Sequence, residues 1–311
     1  MMWKSAICRH KTIDLSNCVT HALVLASMFV LNLYVLVPKS IRTLSRNNTK
    51  QIKWRIVSVL MTVTMSVTIY PYLFCYDKTK GIETKSENLG DLLGFWRLSL
   101  HPLFYGMVLY TGPIITTLLK HRAQYMLRWR GSTKVNVSYW KVFLQDLYYN
   151  LSIFPISWGK TRDLLIAPLA EEVIFRSCMV TPFLHSTAYA NGTISIRFVS
   201  WITPLFFGVA HFHHALRRFR EENCGVKIIL LTSAFQFSYT TIFGAYASYC
   251  FMKYKSLLGV VLLHSFCNHM GLPQLRFFFL DPDLLPQLRL YKAFGLLSYI
   301  SGIVCFYFSF Q

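Results

Sequence analysis

None of the eight cysteines stands in a CxxC pair or any other metal-ligand spacing, and most fall in or beside apolar runs. They read as small buried thiols rather than as a zinc cluster, a redox pair or a disulfide framework. HExxH is also absent, which removes the two-histidine spacing of the helical zinc proteases. No Gly/Ser-rich or Pro-rich linker, low-complexity block or internal repeat interrupts the chain, so one integral domain covering residues 1–311 is expected. The first long apolar run has no small-residue cleavage site after it and reads as an anchor rather than a removable signal peptide.

Apolar side chains are what the chain has in quantity: 54% of its residues are hydrophobic and 16% aromatic. Residues 19–38, 56–76, 102–119 and 293–310 carry almost no charge and approach the roughly 20 residues that cross a bilayer as helix. A second group, residues 163–184, 198–216, 228–252 and 256–272, is more polar. Polar groups at membrane depth persist when they face protein or a water-filled cavity. The expected fold is therefore all-α, a polytopic transmembrane bundle of about eight spans, with the second group around a polar intramembrane cavity. Residues 139–158 interleave aromatics with Lys141 and Asp146 and fit an in-plane interfacial helix.

Acidic residues are few, 13 against 32 Lys and Arg. The surplus lies in loops between spans, so it reports orientation rather than nucleic-acid binding. The segment 39–55 has six Lys or Arg and no acid, and 120–160 is again strongly basic, whereas 77–91 is near neutral. Alternation makes the two basic loops cytosolic, puts 186–195 in the lumen and returns 217–227 to the cytosol. Of the sequons at Asn47, Asn136, Asn150 and Asn191, only Asn191 is then lumenal. A basic cytosolic face also attracts anionic lipid.

Within the polar group, "APLAEEVIFRSCMV" sets Glu171, Glu172 and Arg176 in an otherwise lipid-soluble stretch. Glu172 and Arg176 face each other at i,i+4, which leaves Glu171 in need of a partner from another helix. "PLFFGVAHFHHAL" places Phe207 and His211 four apart, and "VVLLHSFCNHMG" does the same for His264 and Asn268. Glu171, His211, His264 and Asn268 all fall in the cytosolic half of the membrane. A partly desolvated carboxylate beside imidazoles can act as a general base on water, and Asn and His can donate to an oxyanion. The set suggests amide or ester hydrolysis. Plainer readings exist residue by residue. Glu172 with Arg176 is a structural ion pair, Phe207 is a packing residue, and His213 and His214 are solvated near the interface. The polar side chains of 234–246, among them Gln236 and Tyr239, hold helices together.

These motifs resemble those of the type II CAAX prenyl endopeptidases. Glu171, Glu172 and Arg176 match the family's EExxxR, Phe207 and His211 its FxxxH, and His264 and Asn268 its HxxxN, across residues 162–273 and on catalytic helices of about 160–273. One departure is Asp163 after Arg162, where the family pattern implies Asn. The resemblance implies removal of the last three residues of prenylated CAAX proteins, small GTPases such as Ras among them, at the endoplasmic reticulum membrane. It further implies that Glu171 and His211 activate water, that His264 and Asn268 stabilise the oxyanion, and that Glu172, Arg176 and Phe207 support them, without metal or cofactor. Two other readings stand beside it. One is a zinc protease with Glu171, His211 and His264 as ligands. The other is a non-catalytic transporter or scaffold, whose expected paired broken spans are not evident.

Overall fold

The computed structural model describes residues 7–8, 13–74, 87–88, 93–95, 97–128, 141, 144, 156–213, 215, 218–219, 225–272 and 287–309. In chain order these form β1 (Ile7–Cys8), α1 (Leu15–Val35), α2 (Lys39–Arg42), α3 (Thr49–Phe74), β2 (Glu87–Asn88), α4 (His101–Leu109), α5 (Thr111–Arg128) and α6 (Trp158–Thr161). A π-helical turn, Arg162–Ile166, leads to α7 (Ala167–Glu172), and a second, Val173–Cys178, to α8 (Met179–Leu184). Then follow α9 (Thr187–Ala190), α10 (Ile196–Ala210), α11 (Val226–Tyr254), α12 (Leu257–Met270) and α13 (Gln287–Ser309). The described residues are helical apart from a two-residue antiparallel ladder between β1 and β2 and connecting turns.

Among the described residues, four helices are long and apolar enough to cross a membrane: Leu15–Val35, Thr49–Tyr70, Val226–Tyr254 and Arg289–Phe308. A fifth crossing arises if α4 and the first half of α5, bent by 47°, count as one. Large apolar side chains such as Leu23, Leu31, Leu230, Phe235 and Ile242 are exposed on these helices, as lipid-facing surfaces require. The expected count of about eight spans is not confirmed among the described residues. Ile196–Ala210 and Leu257–Met270 are shorter apolar helices, and 158–184 is a succession of α and π turns. The 139–158 helix, the 77–91 and 217–227 loops, His214, and the sequons at Asn136 and Asn150 lie wholly or mostly outside the described residues.

The chain divides into two compact units. The first comprises Met1–Pro102 and Thr161–Ser265. Within it α1 and α3 are joined by polar contacts that apolar helices otherwise lack. Ser58 donates to the Asn32 carbonyl at 2.5 Å and the Asn32 amide donates to Thr62 at 2.9 Å. At one end, Thr187 N–H donates to the Ile13 carbonyl and a bridge joins Ile13 to Ser186, so the start of α1 meets the 186–195 loop. At the other end, the Arg162 guanidinium donates to the Arg46 carbonyl at 3.1 Å.

Close packing of α10 on α11 completes this unit. Gly208 lies so near α11 that an added Cβ would sit 2.5 Å from the Thr241 hydroxyl, and one at Gly244 would sit 2.8 Å from Pro204 Cβ. Small residues at such a crossing let backbones approach, which is how membrane helices gain packing energy. Substitution Gly244→Leu forces apart a stiff proline ring and is expected to lower stability by about 1–3 kcal/mol. Thermal unfolding in detergent reads this, and an unchanged midpoint would contradict the close approach.

The second unit comprises Leu103–Lys160 and Phe266–Gln311. Its core is the pairing of α5 with α13. A Cβ at Gly112 would lie 2.6 Å from the Tyr299 backbone, and one at Gly302 would lie 2.7 Å from the Thr111 hydroxyl. The Arg122 guanidinium donates to the Tyr291 hydroxyl at 3.0 Å, and Tyr110 OH donates to the Gly271 carbonyl at 3.0 Å.

Candidate active site

The two carboxylates occupy the end of α7, where the helix passes from α to π winding. Such π turns widen a helix locally and recur at functional sites. Glu172 is fully buried and its Oε2 lies 3.0 Å from Arg176 Nε, so the i,i+4 pair expected from the spacing forms. The angle falls short of a hydrogen bond, and Arg176 Nη2 finds no hydrogen-bond partner either among the described residues. The guanidinium is compensated in other ways: by the Glu172 charge and by the face of Phe207, whose ring centroid is 4.9 Å from Arg176 Cζ.

Phe207 is thus the hinge pin of the site in a literal sense of contact. It stacks edge-on with Phe175 at 5.0 Å, with His211 at 4.6 Å and with His264 at 6.4 Å. The reading of Phe207 as packing agrees with these contacts, and they explain why a flat, polarisable ring is needed there.

His264 comes from α12. Its Nδ1 makes a 2.7 Å hydrogen bond to Glu172 Oε1, and its Nε2 lies 3.8 Å from Glu171 Oε2. An ionised carboxylate only accepts, so Nδ1 carries hydrogen and the opposite ring edge is turned toward Glu171. Phe243 covers the ring at 4.8 Å. Glu171 therefore has a partner on a different helix, as the cost of a lone membrane carboxylate demanded. Spacing did not foresee that one imidazole would touch both carboxylates.

His211 follows the last residue of α10. Its Nδ1 bonds the Phe207 carbonyl at 2.7 Å, satisfying one of the acceptors that a helix end leaves over. A carbonyl only accepts, so in the neutral ring Nε2 presents the lone pair. Glu171 and His211 line one cleft of about 120 Å³. Its apolar wall includes Phe29 and Ile56, and Arg46, Arg55, Arg162 and Asp163 stand round it as well. That volume holds a few water molecules or the end of a peptide.

His213, read as a solvated interfacial group, is half-buried. Helix α10 stops at Ala210 rather than continuing to residue 216, and the turn brings His213 back to line the same cleft. Its Nδ1 bonds the Ala210 carbonyl at 2.6 Å and its ring meets Tyr34 edge-on. Gln236 ties α11 to the segment before it, its Oε1 accepting from Arg218, whereas Thr240 donates to the Gln236 carbonyl within its own helix. Asn268 stands one helical turn beyond His264 on α12 and belongs to the second unit. Asp163 takes two bonds from Arg162, at 2.6 and 2.9 Å, a fork that a neutral Asn would not accept with equal strength. Among the described residues, no three His, Cys, Asp or Glu side chains converge as a metal-ligand group.

Comparison with known proteins gives the same region a family. Residues 155–270 match the model of "Type II CAAX prenyl endopeptidase Rce1-like". The chain is 33% identical over 263 residues to CAAX prenyl protease 2 of Homo sapiens, covering 80% of this chain and 69% of that one. It is 27% identical over 246 residues to CAAX prenyl protease 2 of Saccharomyces cerevisiae, covering 73% and 72%. To the probable CAAX prenyl protease 2 of Schizosaccharomyces pombe it is 29% identical over 254 residues, covering 80% and 79%. No solved structure gave a significant match. Every residue of the buried glutamate, arginine and histidine cluster falls inside the matched segment, and the human likeness runs through most of both chains. On that footing the chain, a multi-pass membrane protein by its apolar helices, belongs to the type II CAAX prenyl endopeptidase family of peptide hydrolases.

Proposed function

We propose that the chain removes the last three residues of prenylated CAAX proteins by attack of a water molecule held between Glu171 and His211. Glu171 takes a proton from that water, and the hydroxide attacks the carbonyl carbon of the bond after the prenylated cysteine. The tetrahedral intermediate collapses as Glu171 returns the proton to the leaving amine, releasing a tripeptide and a new cysteine carboxylate. His211 Nε2 orients the water. His264, held by its Nδ1–H bond to Glu172, and Asn268 are the two groups that face the oxyanion. Glu172 and Arg176 fix the ring that does this. The observation that carries the reading is the His264 imidazole, bonded to Glu172 at 2.7 Å and turned toward Glu171 at 3.8 Å.

The membrane setting suits a prenylated peptide. The isoprenoid lies in lipid while its peptide tail enters the cleft from the basic end, which the loop charges assign to the cytosol. We place the protein in the endoplasmic reticulum membrane, with small GTPases such as Ras among its substrates and anionic lipid at its basic face. The experiment is direct: purified protein, a farnesylated CAAX peptide, and the mass of the product with and without a strong chelator. Loss of three residues in both samples is expected. Activity abolished by the chelator and restored by zinc would replace this mechanism with a metal-assisted one.

A further inference from the structure

His264 reaches both carboxylates from a helix that lipid does little to hold at one depth. Apolar helices in a membrane gain no burial by sliding along their axes, so packing and polar contacts must set the axial position. The bond from His264 to Glu172 is 2.7 Å long, and such bonds weaken beyond about 3.2 Å. A slide of α12 by about an ångström loses it. The start of α12 carries the contacts that prevent this. Ser256 stands just before the helix and caps it. Its Oγ accepts from Gly259 N–H at 3.1 Å, accepts from Ser99 N–H at 3.0 Å and donates to the Arg97 carbonyl at 2.9 Å. That uses every bond a hydroxyl can make. Beside it, Leu257 N–H donates to the Gly94 carbonyl at 3.0 Å. Residues 93–95 and 97–99 thus form a strap across the beginning of α12.

The same strap grips the segment that carries the glutamates. Ser177, one residue after Arg176, donates from Oγ to the Leu93 carbonyl at 2.7 Å. Both serines are fully buried, so water does not compete for these bonds. Gly94 allows the close approach: its φ is 75°, and a Cβ there would lie 2.9 Å from the Phe251 ring and 3.2 Å from Leu257 N. A Cβ at Gly259 would likewise meet the Ser99 carbonyl. The contacts close a circuit. From Glu172 the chain runs five residues to Ser177, crosses to Leu93, and passes through Gly94 to Leu257 and Ser256. It returns along α12 to His264, eight residues beyond Ser256 and about 12 Å away at helical rise. The bond to Glu172 shuts it.

We propose that this strap is the gauge that sets His264 against Glu171 and Glu172, with Ser177 and Ser256 as its positioning residues. Neither serine touches substrate. Each acts through the imidazole: releasing either end of the strap lets α12 shift along its axis, and the imidazole leaves its place between the two carboxylates. The inference rests on the endopeptidase mechanism above and adds to it the element that aligns the catalytic groups.

The test uses the full purified chain and a farnesylated CAAX peptide. Ser177→Ala and Ser256→Ala are each expected to lower kcat by about 10–100-fold, the cost of an ångström of misplacement, with KM little changed. Thermal unfolding in detergent sets an assay temperature at which each variant is fully folded. Ser177→Ala removes a single donor, so it keeps the test available if Ser256→Ala, which strands a buried N–H and a carbonyl, is too unstable to purify. The discriminating measurement is a cycle with Glu172→Gln, which already weakens the bond that the strap aligns. In that background either serine change is expected to cost about threefold or less. An equal fold loss in both backgrounds would overturn this inference alone, because a residue that serves stability only lowers both alike. So would a folded variant of either serine with the wild-type kcat. A wild type that leaves the peptide intact would overturn the endopeptidase reading and this inference with it.

Discussion

Glu171→Gln is expected to cut kcat on a farnesylated CAAX peptide by about 10²–10⁴-fold, the usual contribution of a positioned general base. The amide keeps the shape of the carboxylate but cannot take a proton from water. KM is expected to change little, because the cleft walls are untouched. Fold is also expected to survive. Glu171 is only ion-pair distance from His264, 3.8 Å, whereas the stabilising contacts of the cluster run through Glu172. Single-turnover cleavage with purified variant reads the loss directly, and undiminished cleavage would remove Glu171 from the base position and the mechanism with it.

The motif residues were legible because their chemistry is costly in lipid. A carboxylate, a guanidinium and imidazoles in apolar helices need partners, and helical spacing limits which ones. Glu172 with Arg176 followed from i,i+4 alone, and the need of Glu171 for another helix was met by His264. What stayed illegible is three-dimensional detail beyond one helix. That His264 reaches Glu172 at 2.7 Å depends on the placement of α12 against a helix whose winding changes from α to π at Glu172, and no periodicity announces that change. That His213 lines the cleft was not legible, because it depends on the turn that follows Ala210. The count of about eight spans is not confirmed for a related reason. Hydropathy sees composition, and it cannot distinguish a full crossing from the 15-residue α10 or the 14-residue α12. Arg46 and Arg55 were visible only as loop charge. Their position beside the cleft depends on long-range contacts such as the bond from Arg162 to the Arg46 carbonyl, which joins residues 116 apart in the chain.

The second large effect concerns stability rather than chemistry. Glu172→Leu is expected to destabilise the protein by about 3–5 kcal/mol, because it strands a guanidinium in a buried site. Arg176 is 1% exposed, so no water takes the place of the lost carboxylate. That is a large share of the roughly 5–15 kcal/mol that holds a domain folded, and low yield with a depressed unfolding midpoint in detergent is the expected result. The double variant Glu172→Leu with Arg176→Met removes both charges and is expected to regain most of the stability, since a buried ion pair contributes little over a well-packed apolar pair. Its activity is not expected to return, because His264 no longer has the acceptor that turns its Nε2 toward Glu171. Glu172→Gln separates the two roles: the amide oxygen still accepts from Nδ1, yet the charge that strengthens this bond is gone, and kcat is expected to fall by about 10–100-fold. A double variant that cleaves at the wild-type rate would show that the pair serves packing alone, and that the His264 ring finds its orientation without it.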